Sequence, residues 1–327
     1  MDDALTLRAL RPDEWSQVAD LIHRSTNAWY VASGKAAIFT GDPADCELYP
    51  RVYEALDPGC CIVAVAAEHA GGTGGSRGTT ETGRTRQTER IVGSCFYHPR
   101  ATHFSIGIVN VHPDHFGRGI AHRMLHAVIE KADGENKPLR LVSSAMNLDS
   151  FSLYTRAGFV PRQTYQDMWV AVPPGGIGAV DPAVRSATTE DVPAMAALER
   201  MVSGLERERD YHHFLENADG IWHASVLPAR DGKGLDGFLV SIAAPASNLL
   251  GPGIARTDHD AATLIRAELN HHRGRTPVFL VPADRPELVG AMYALGARNC
   301  ELHFAQVRGA WTPPAGIVMP TFMPETG

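Results

Sequence analysis

The sequence predicts a mixed α/β fold, an α+β arrangement on a mixed sheet, present in two tandem copies. Three observations predict it. A strand-like run ending at Val111 passes through the turn Gly117-Arg118-Gly119 into an amphipathic stretch with Ile120, Met124, Leu125, Val128 and Ile129 on one stripe. The segment Val172–Asp181, VPPGGIGAVD, has the composition of a linker. A weak repeat spans that linker: Val184–Thr188 resembles Leu5–Ala9, and Tyr293–Ala297 parallels Tyr154–Phe159. A chain of 327 residues accommodates two domains of ordinary size, 1–174 and 182–327.

The elements follow in order. Ala4–Leu10 reads as a first strand, and Trp15, Val18, Leu21 and Ile22 have helical spacing behind Pro12, which suits a helix start. Cys46–Leu56 reads as helix and Cys60–Glu68 as strand. Gly71–Glu89 has no aliphatic or aromatic residue, so it is expected to be a mobile surface loop. Arg90–Tyr97 and His103–Val111 form a hairpin around His98–Thr102. A helix from Gly117 to Ala132, a strand from Leu139 to Met146, a short helix from Asp149 to Ala157 closed by Gly158, and strands over Phe159–Val170 complete the first half. The tail Pro313–Gly327 is expected to pack as extended chain.

Composition excludes several classes of function. Hydrophobic residues make up 44%, charged residues 20%, and the net charge is −7. A mildly acidic surface of this kind has no general affinity for nucleic acid or anionic membrane. No apolar run reaches the roughly 18 residues that span a bilayer. The start, MDDALTLRAL, lacks the basic and apolar regions of a secretory signal. Five cysteines with no CxxC pair indicate neither a zinc site nor a disulfide framework, and a cytoplasmic location is the expectation. His122 and His126 lie four apart on one helix, but no acidic or cysteine partner sits at a matching offset, so no metal is expected.

The chemistry centres on the run Val111–Ala121, V-H-P-D-H-F-G-R-G-I-A. A glycine turn opening a helix offers unpaired N–H groups and the positive end of the helix dipole to an anion, and Gly117 and Gly119 let a diphosphate approach the backbone. Arg118 adds a cation. After the next strand comes N-x-x-S-x-x-L-Y-x-x-x-G-F, here Asn147 through Ser150 and Tyr154 to Phe159. Taken together, the two motifs resemble the GCN5-related N-acetyltransferase (GNAT) superfamily over residues 4–172, its acyl-CoA signature [QR]-x-x-G-x-[GA] falling on Phe116, Gly117, Arg118, Gly119, Ile120 and Ala121.

The resemblance implies two GNAT-like acyl-CoA N-acyltransferase folds in tandem, with acetyl-CoA as co-substrate and no metal. It implies that Val109, Asn110 and Val111 meet the pantetheine, that Gly117–Ala121 bind the pyrophosphate, that Asn147 and Ser150 lie along the pantetheine arm, and that Tyr154 protonates the departing thiolate. A phenol with pKa near 10 keeps its proton until a thiolate needs it. Two departures stand out. Phe116 replaces the family's Gln or Arg. No carboxylate occupies the strand His103–Val111, so the base is open between His103, His98, a water relay, a residue elsewhere, or none. The implied activity is acetyl transfer to a primary amine of a small molecule or peptide, with a non-catalytic acyl-CoA sensor as the alternative. Neither nucleic acid nor membrane is an expected partner, and monomer or homodimer is expected.

In the second half, Leu250–Ala255 contains a superficial G-x-G-x-A, but Pro252 removes a donor and Asp258 and Asp260 repel a phosphate, so this half is read as a degenerate copy with a structural or acceptor-site role. Tyr211-His212-His213 and Trp222-His223 read as packing residues.

Overall fold

The computed structural model describes residues 5–68 and 88–323. The first half contains β1 (Thr6–Ala9), α1 (Trp15–Ala32), α2 (Leu48–Leu56), β2 (Cys61–Glu68), β3 (Thr88–Pro99), β4 (Phe104–Val111), α3 (Ile120–Gly134), β5 (Leu139–Ser144), α4 (Leu148–Arg156) and β6 (Val160–Trp169). Then come β7 (Arg185–Ser186), α5 (Val192–Ser203), α6 (Glu208–Glu216), β8 (Trp222–Pro228), β9 (Leu235–Ala244), β10 (Ser247–Ala255), α7 (Asp258–Leu269), β11 (Val278–Pro282), α8 (Pro286–Ala294), β12 (Arg298–Arg308) and β13 (Ile317–Met319). The loop expected over Gly71–Glu89 lies outside the described residues except for Thr88 and Glu89, which begin β3.

The elements form two compact units that depart from chain order. One holds the chain up to Glu54 with Pro58–Phe96 and Val109–Leu125, and the other holds Ala55–Asp57, Tyr97–Ile108 and everything from His126. In the first unit β1, β2 and β3 pair antiparallel, with Thr6 opposite Val65 and Ile62 opposite Cys95. The expected helical stripe of α1 is buried at Val18, Leu21 and Ile22, where i, i+3, i+4 spacing aligns them on one face. A Cβ on Gly93 of β3 would meet Ile120 Cγ2 and Met124 Cε, each at 3.0 Å, so glycine lets the first turns of α3 ride close over the strand.

The second unit carries a mixed sheet. Phe104 of β4 pairs parallel with Leu139 of β5, and β10 pairs parallel with β11, while the remaining pairs are antiparallel. From β5 the order runs β12, β6, β11, β10, β9, β8, β7, with β13 also on β10. β12, near the end of the sequence, lies between β5 and β6: His303 faces Ser144 on one side and Tyr165 on the other. β6 pairs in turn with β11, Gln166 opposite Val281. Strands of the two sequence copies therefore alternate. Leu264, Ile265 and Leu269 of α7 pack over Leu250, Phe279 and Val281 as the core of this region.

The repeat is visible at atomic level. Arg8 holds Glu14 through two hydrogen bonds of 2.8 and 2.6 Å, and Arg185 holds Asp191 through two of 2.8 and 2.7 Å. In each copy the carboxylate also accepts the backbone N–H three residues before it, from Arg11 and Thr188 respectively. Each copy thus opens with strand, capped 3-10 turn and helix. Sequence-based boundaries shift in several places: the strand expected over Val184–Thr188 is only Arg185–Ser186, the helix expected from Gly117 begins at Ile120, and Ile317–Met319 of the extended tail is a strand.

Candidate functional site

In the first unit, the last residues of β4, Val109–Val111, lead into the glycine turn. Asn110 is buried there, and its Nδ2 donates to Ser25 Oγ at 2.6 Å, which turns its side chain onto α1. The His112 N–H then donates to Val92 O at 2.8 Å, tying the strand end to β3. Pro113–His115 form a 3-10 turn, and Phe116 follows extended and 52% exposed. Gly117 and Gly119 have φ of +74° and +72°, and a Cβ on either would meet nothing within 4 Å. Conformation, not crowding, requires glycine at both positions.

Ile120 anchors the helix start in the core, while Gly117, Arg118 and Gly119 are exposed. The Arg123 N–H donates to Gly119 O at 3.1 Å, so the amides of Ile120, Ala121 and His122 precede the first intrahelical bond. No acidic residue stands in that first turn. Burial, and then the Arg118 charge, push the His115 imidazole below its ordinary value, so it is neutral near pH 7. The arrangement is an exposed nest of N–H groups with a cation beside it, suited to an anion such as a diphosphate. Arg90 also donates to His112 Nε2 at 2.9 Å and fixes that ring behind the turn. Sequence reasoning missed Arg90, because 22 residues separate the pair and no local period connects them.

In the second unit, Asn147 caps α4, its Oδ1 accepting the Ser150 N–H at 3.0 Å. That bond uses the carbonyl end of the amide and the Ser150 N–H. Tyr154 lies one turn on, 8% exposed, its ring meeting Phe159 edge-on at 5.9 Å between centroids. The spacing has a structural reason: the cap starts the helix, and Gly158 at φ +89° ends it so that Phe159 returns under Tyr154.

The glycine run of the second half is built differently. Gly251 and Gly253 lie inside β10, where a Cβ would meet Pro320 O at 2.5 Å and Leu239 Cδ1 at 2.5 Å respectively. These glycines serve close strand packing and form no exposed turn. The helix that follows, α7, is capped by its own side chains: Thr257 Oγ1 accepts the Asp260 N–H at 3.2 Å, and the buried Asp260 pairs with Arg230 at 2.5 Å. An arriving phosphate would find its place taken by carboxylate.

His98 and His103 are both buried, and burial holds both imidazoles below their ordinary value. His98 Nδ1 is bound to Asp57 Oδ2 at 2.7 Å. Burial removes both from the groups that meet an amine arriving from solvent. Tyr211 and Trp222 are buried, and the Tyr211 hydroxyl donates to Glu199 Oε2 at 2.5 Å, a packing role. Among the described residues no group of three or more His, Cys, Asp or Glu side chains is placed to hold a metal ion, and no helix is long and apolar enough to cross a membrane.

A family model described as "Acetyltransferase (GNAT) domain" matches residues 81–161, and a second model of the same description matches residues 195–312. The first match contains both the glycine turn and Asn147–Phe159. No curated protein matches the chain in sequence. Solved structures similar in fold include a Pyrococcus horikoshii protein assigned as an acetyltransferase, with TM-score 0.69 at 14% identity over 97% of this chain and 95% of that one. A GCN5-related N-acetyltransferase from Sphaerobacter thermophilus has TM-score 0.62 at 15% identity over 97% and 99%. A tandem GNAT protein from the clavulanic acid biosynthesis pathway has TM-score 0.56 at 18% identity over 95% and 99%. At these identities the likeness is one of fold.

Proposed function

Because the chain belongs to the GNAT acetyltransferase family and carries two of its domains in tandem, we propose that it moves an acetyl group from acetyl-CoA to a primary amine of a small molecule or peptide. The observation that carries this reading is the exposed turn Gly117-Arg118-Gly119 at the start of α3, whose first turn holds no acidic residue. Backbone N–H groups of Gly117–Ala121 take the pyrophosphate, and Arg118 adds charge. Phe116 forfeits a polar contact but leaves the backbone donors in place. Backbone groups of Val109–Val111, with Asn147 and Ser150, are assigned to the pantetheine from the sequence motif.

The reaction is direct attack of the amine nitrogen on the thioester carbonyl. The new C–N bond forms as the C–S bond breaks, Tyr154 gives its phenolic proton to the sulfur, and the proton shed by the ammonium passes through water and restores the tyrosine. No step is assigned to a protein base. Residues 1–174 are the catalytic region in this reading. Residues 182–327 have a structural or acceptor-side role with no cofactor of their own, as the strand position of Gly251 and Gly253 supports.

Isothermal titration with acetyl-CoA tests the proposal. One equivalent is expected to bind, with binding abolished in Gly119→Asp. No binding, or binding that the substitution leaves unchanged, overturns it. Thiol release across a panel of amines then tests turnover, with Tyr154→Phe as control; binding without release on any amine reduces the protein to an acyl-CoA sensor.

A further inference from the structure

The residue pair Trp222-His223 has one member that the packing role does not explain. Trp222 is buried, but the His223 side chain is 28% exposed. Strand register explains its surroundings. His223 of β8 lies opposite Ser241 of β9, and Ser225, two residues along, lies opposite Ser186 of β7. Cross-strand partners share a face and alternate residues return to it, so four polar side chains occupy one face of this edge. Helix α7 covers that face and inserts Glu268, whose side chain is fully buried.

A buried carboxylate must be well hydrogen-bonded to stay ionised. Glu268 accepts from His223 Nδ1 at 2.9 and 3.2 Å and from Ser241 Oγ at 2.6 Å. Burial alone would raise its pKa, but bonds from His223, Ser225 and Ser241 hold it below the ordinary carboxylate value. An ionised carboxylate only accepts, so Nδ1 is the ring nitrogen that donates to Glu268, and Nε2 is turned toward Ser186. Ser186 Oγ lies 3.0 Å from that Nε2 and is exposed to solvent. The His271 ring stacks on His223 at 3.5 Å and 23°, and holds the imidazole plane from behind.

We propose that Ser186, His223 and Glu268 form a nucleophilic serine site that accepts small activated esters from solvent. Glu268 fixes the tautomer and orientation, His223 is the base, and Ser186 is the nucleophile, a division of roles set by the three-group geometry. Ser186 Oγ bonds to the ester carbonyl carbon while its proton passes to His223 Nε2. The bond to the alcohol breaks, and the alcohol leaves with that proton. Water, giving a proton to His223 Nε2, then bonds to the acyl carbon; the bond to Ser186 Oγ breaks, Oγ takes that proton back, and the acid is released. The exposed position on the two-residue strand β7 favours small esters with good leaving groups over large buried substrates. The site goes beyond the acetyltransferase reading and uses none of its residues.

The test is labelling of the full-length protein with diisopropyl fluorophosphate, in which the serine oxygen bonds to phosphorus and fluoride leaves. Intact mass should show one adduct, and peptide mapping should place it on Ser186. The adduct should vanish in Ser186→Ala, a surface change that leaves the melting temperature unchanged, and should form about 100-fold more slowly in His223→Ala. Because Glu268 is buried and its variant risks misfolding, His223→Gln provides a second base-deficient variant, expected to be equally slow. No adduct on Ser186, or one that forms at the same rate without His223, overturns the proposal. Gly119→Asp should leave labelling unchanged, so failure here and failure of acetyl-CoA binding are separate results.

Discussion

Arg100 grips Asp210 through two hydrogen bonds, Nε to Oδ2 at 3.1 Å and Nη2 to Oδ1 at 2.6 Å, although 110 residues separate them. Its Nη1 donates to Asp57 Oδ1 at 2.9 Å, and all three side chains are buried. Removing one member of a buried ionic group strands the rest, at a cost of about 3–5 kcal/mol. Arg100→Met should lower the urea midpoint by that equivalent, and Arg100→Lys by less, because it keeps the charge but loses the planar fork. An unchanged midpoint in Arg100→Met would show that the cluster contributes nothing net.

Gly117→Ala should fold normally and bind acetyl-CoA more weakly. A Cβ there meets nothing, so the only penalty is left-handed backbone strain of about 1–2 kcal/mol. Relief of that strain turns the amides away from the ligand, and each 1.4 kcal/mol of lost binding is about tenfold in affinity. Calorimetric titration alongside a thermal melt separates the two effects.

Tyr154→Phe should retain the edge-on contact with Phe159 and hence the melting temperature. Thiol release should fall by about 100-fold, since the proton donor is lost. A fall in kcat with an unchanged KM for acetyl-CoA is the expected pattern; a rise in KM alone would make the residue a binding group.

Stability should decline in mild acid. His272 is 1% exposed, its Nδ1 bound to Asn248 Oδ1 at 2.8 Å, and burial pushes its pKa down from 6.5 to about 4. Above pH 6.5 neither folded nor unfolded chain carries the proton, and the fold keeps its full stability. As pH falls from 6.5 to 4 the unfolded chain takes up a proton that the folded chain refuses, so stability drops, by up to about 3 kcal/mol from this residue. His103, also held well below its ordinary value, acts in the same direction. Urea midpoints between pH 4 and pH 8 should show this slope, and His272→Gln should flatten it.

The glycine turn and the α4 cap were legible because each is local. Gly117 and Gly119 announce left-handed backbone, and Asn147 stands three residues before the N–H it accepts. The repeat was legible only as a faint echo, yet it hides matching Arg8–Glu14 and Arg185–Asp191 forks that six-residue spacing does not advertise as a pair. What stayed illegible depends on sheet assembly. Nothing in Arg298–Arg308 states that its neighbours are β5 and β6, since any apolar-alternating strand could fill that gap. Ser186, His223 and Glu268 lie 37 and 45 residues apart, beyond helical or strand periodicity. Gly251 and Gly253 resemble that turn only superficially, because the same residue type serves turns and tight strand contacts.

The place of β12 between β5 and β6 has a consequence for biosynthesis. When the ribosome has made residues through Trp169, β5 and β6 both exist, but the strand that joins them is still more than a hundred codons away. Each nascent strand waits with an open hydrogen-bonding edge, the condition under which chains associate wrongly. Final closure of this sheet therefore waits until β12 has been made. A chain released early, with a stop codon in place of the codon for Val184, should be recovered largely in the insoluble fraction, and supplying residues 182–327 during synthesis should restore solubility.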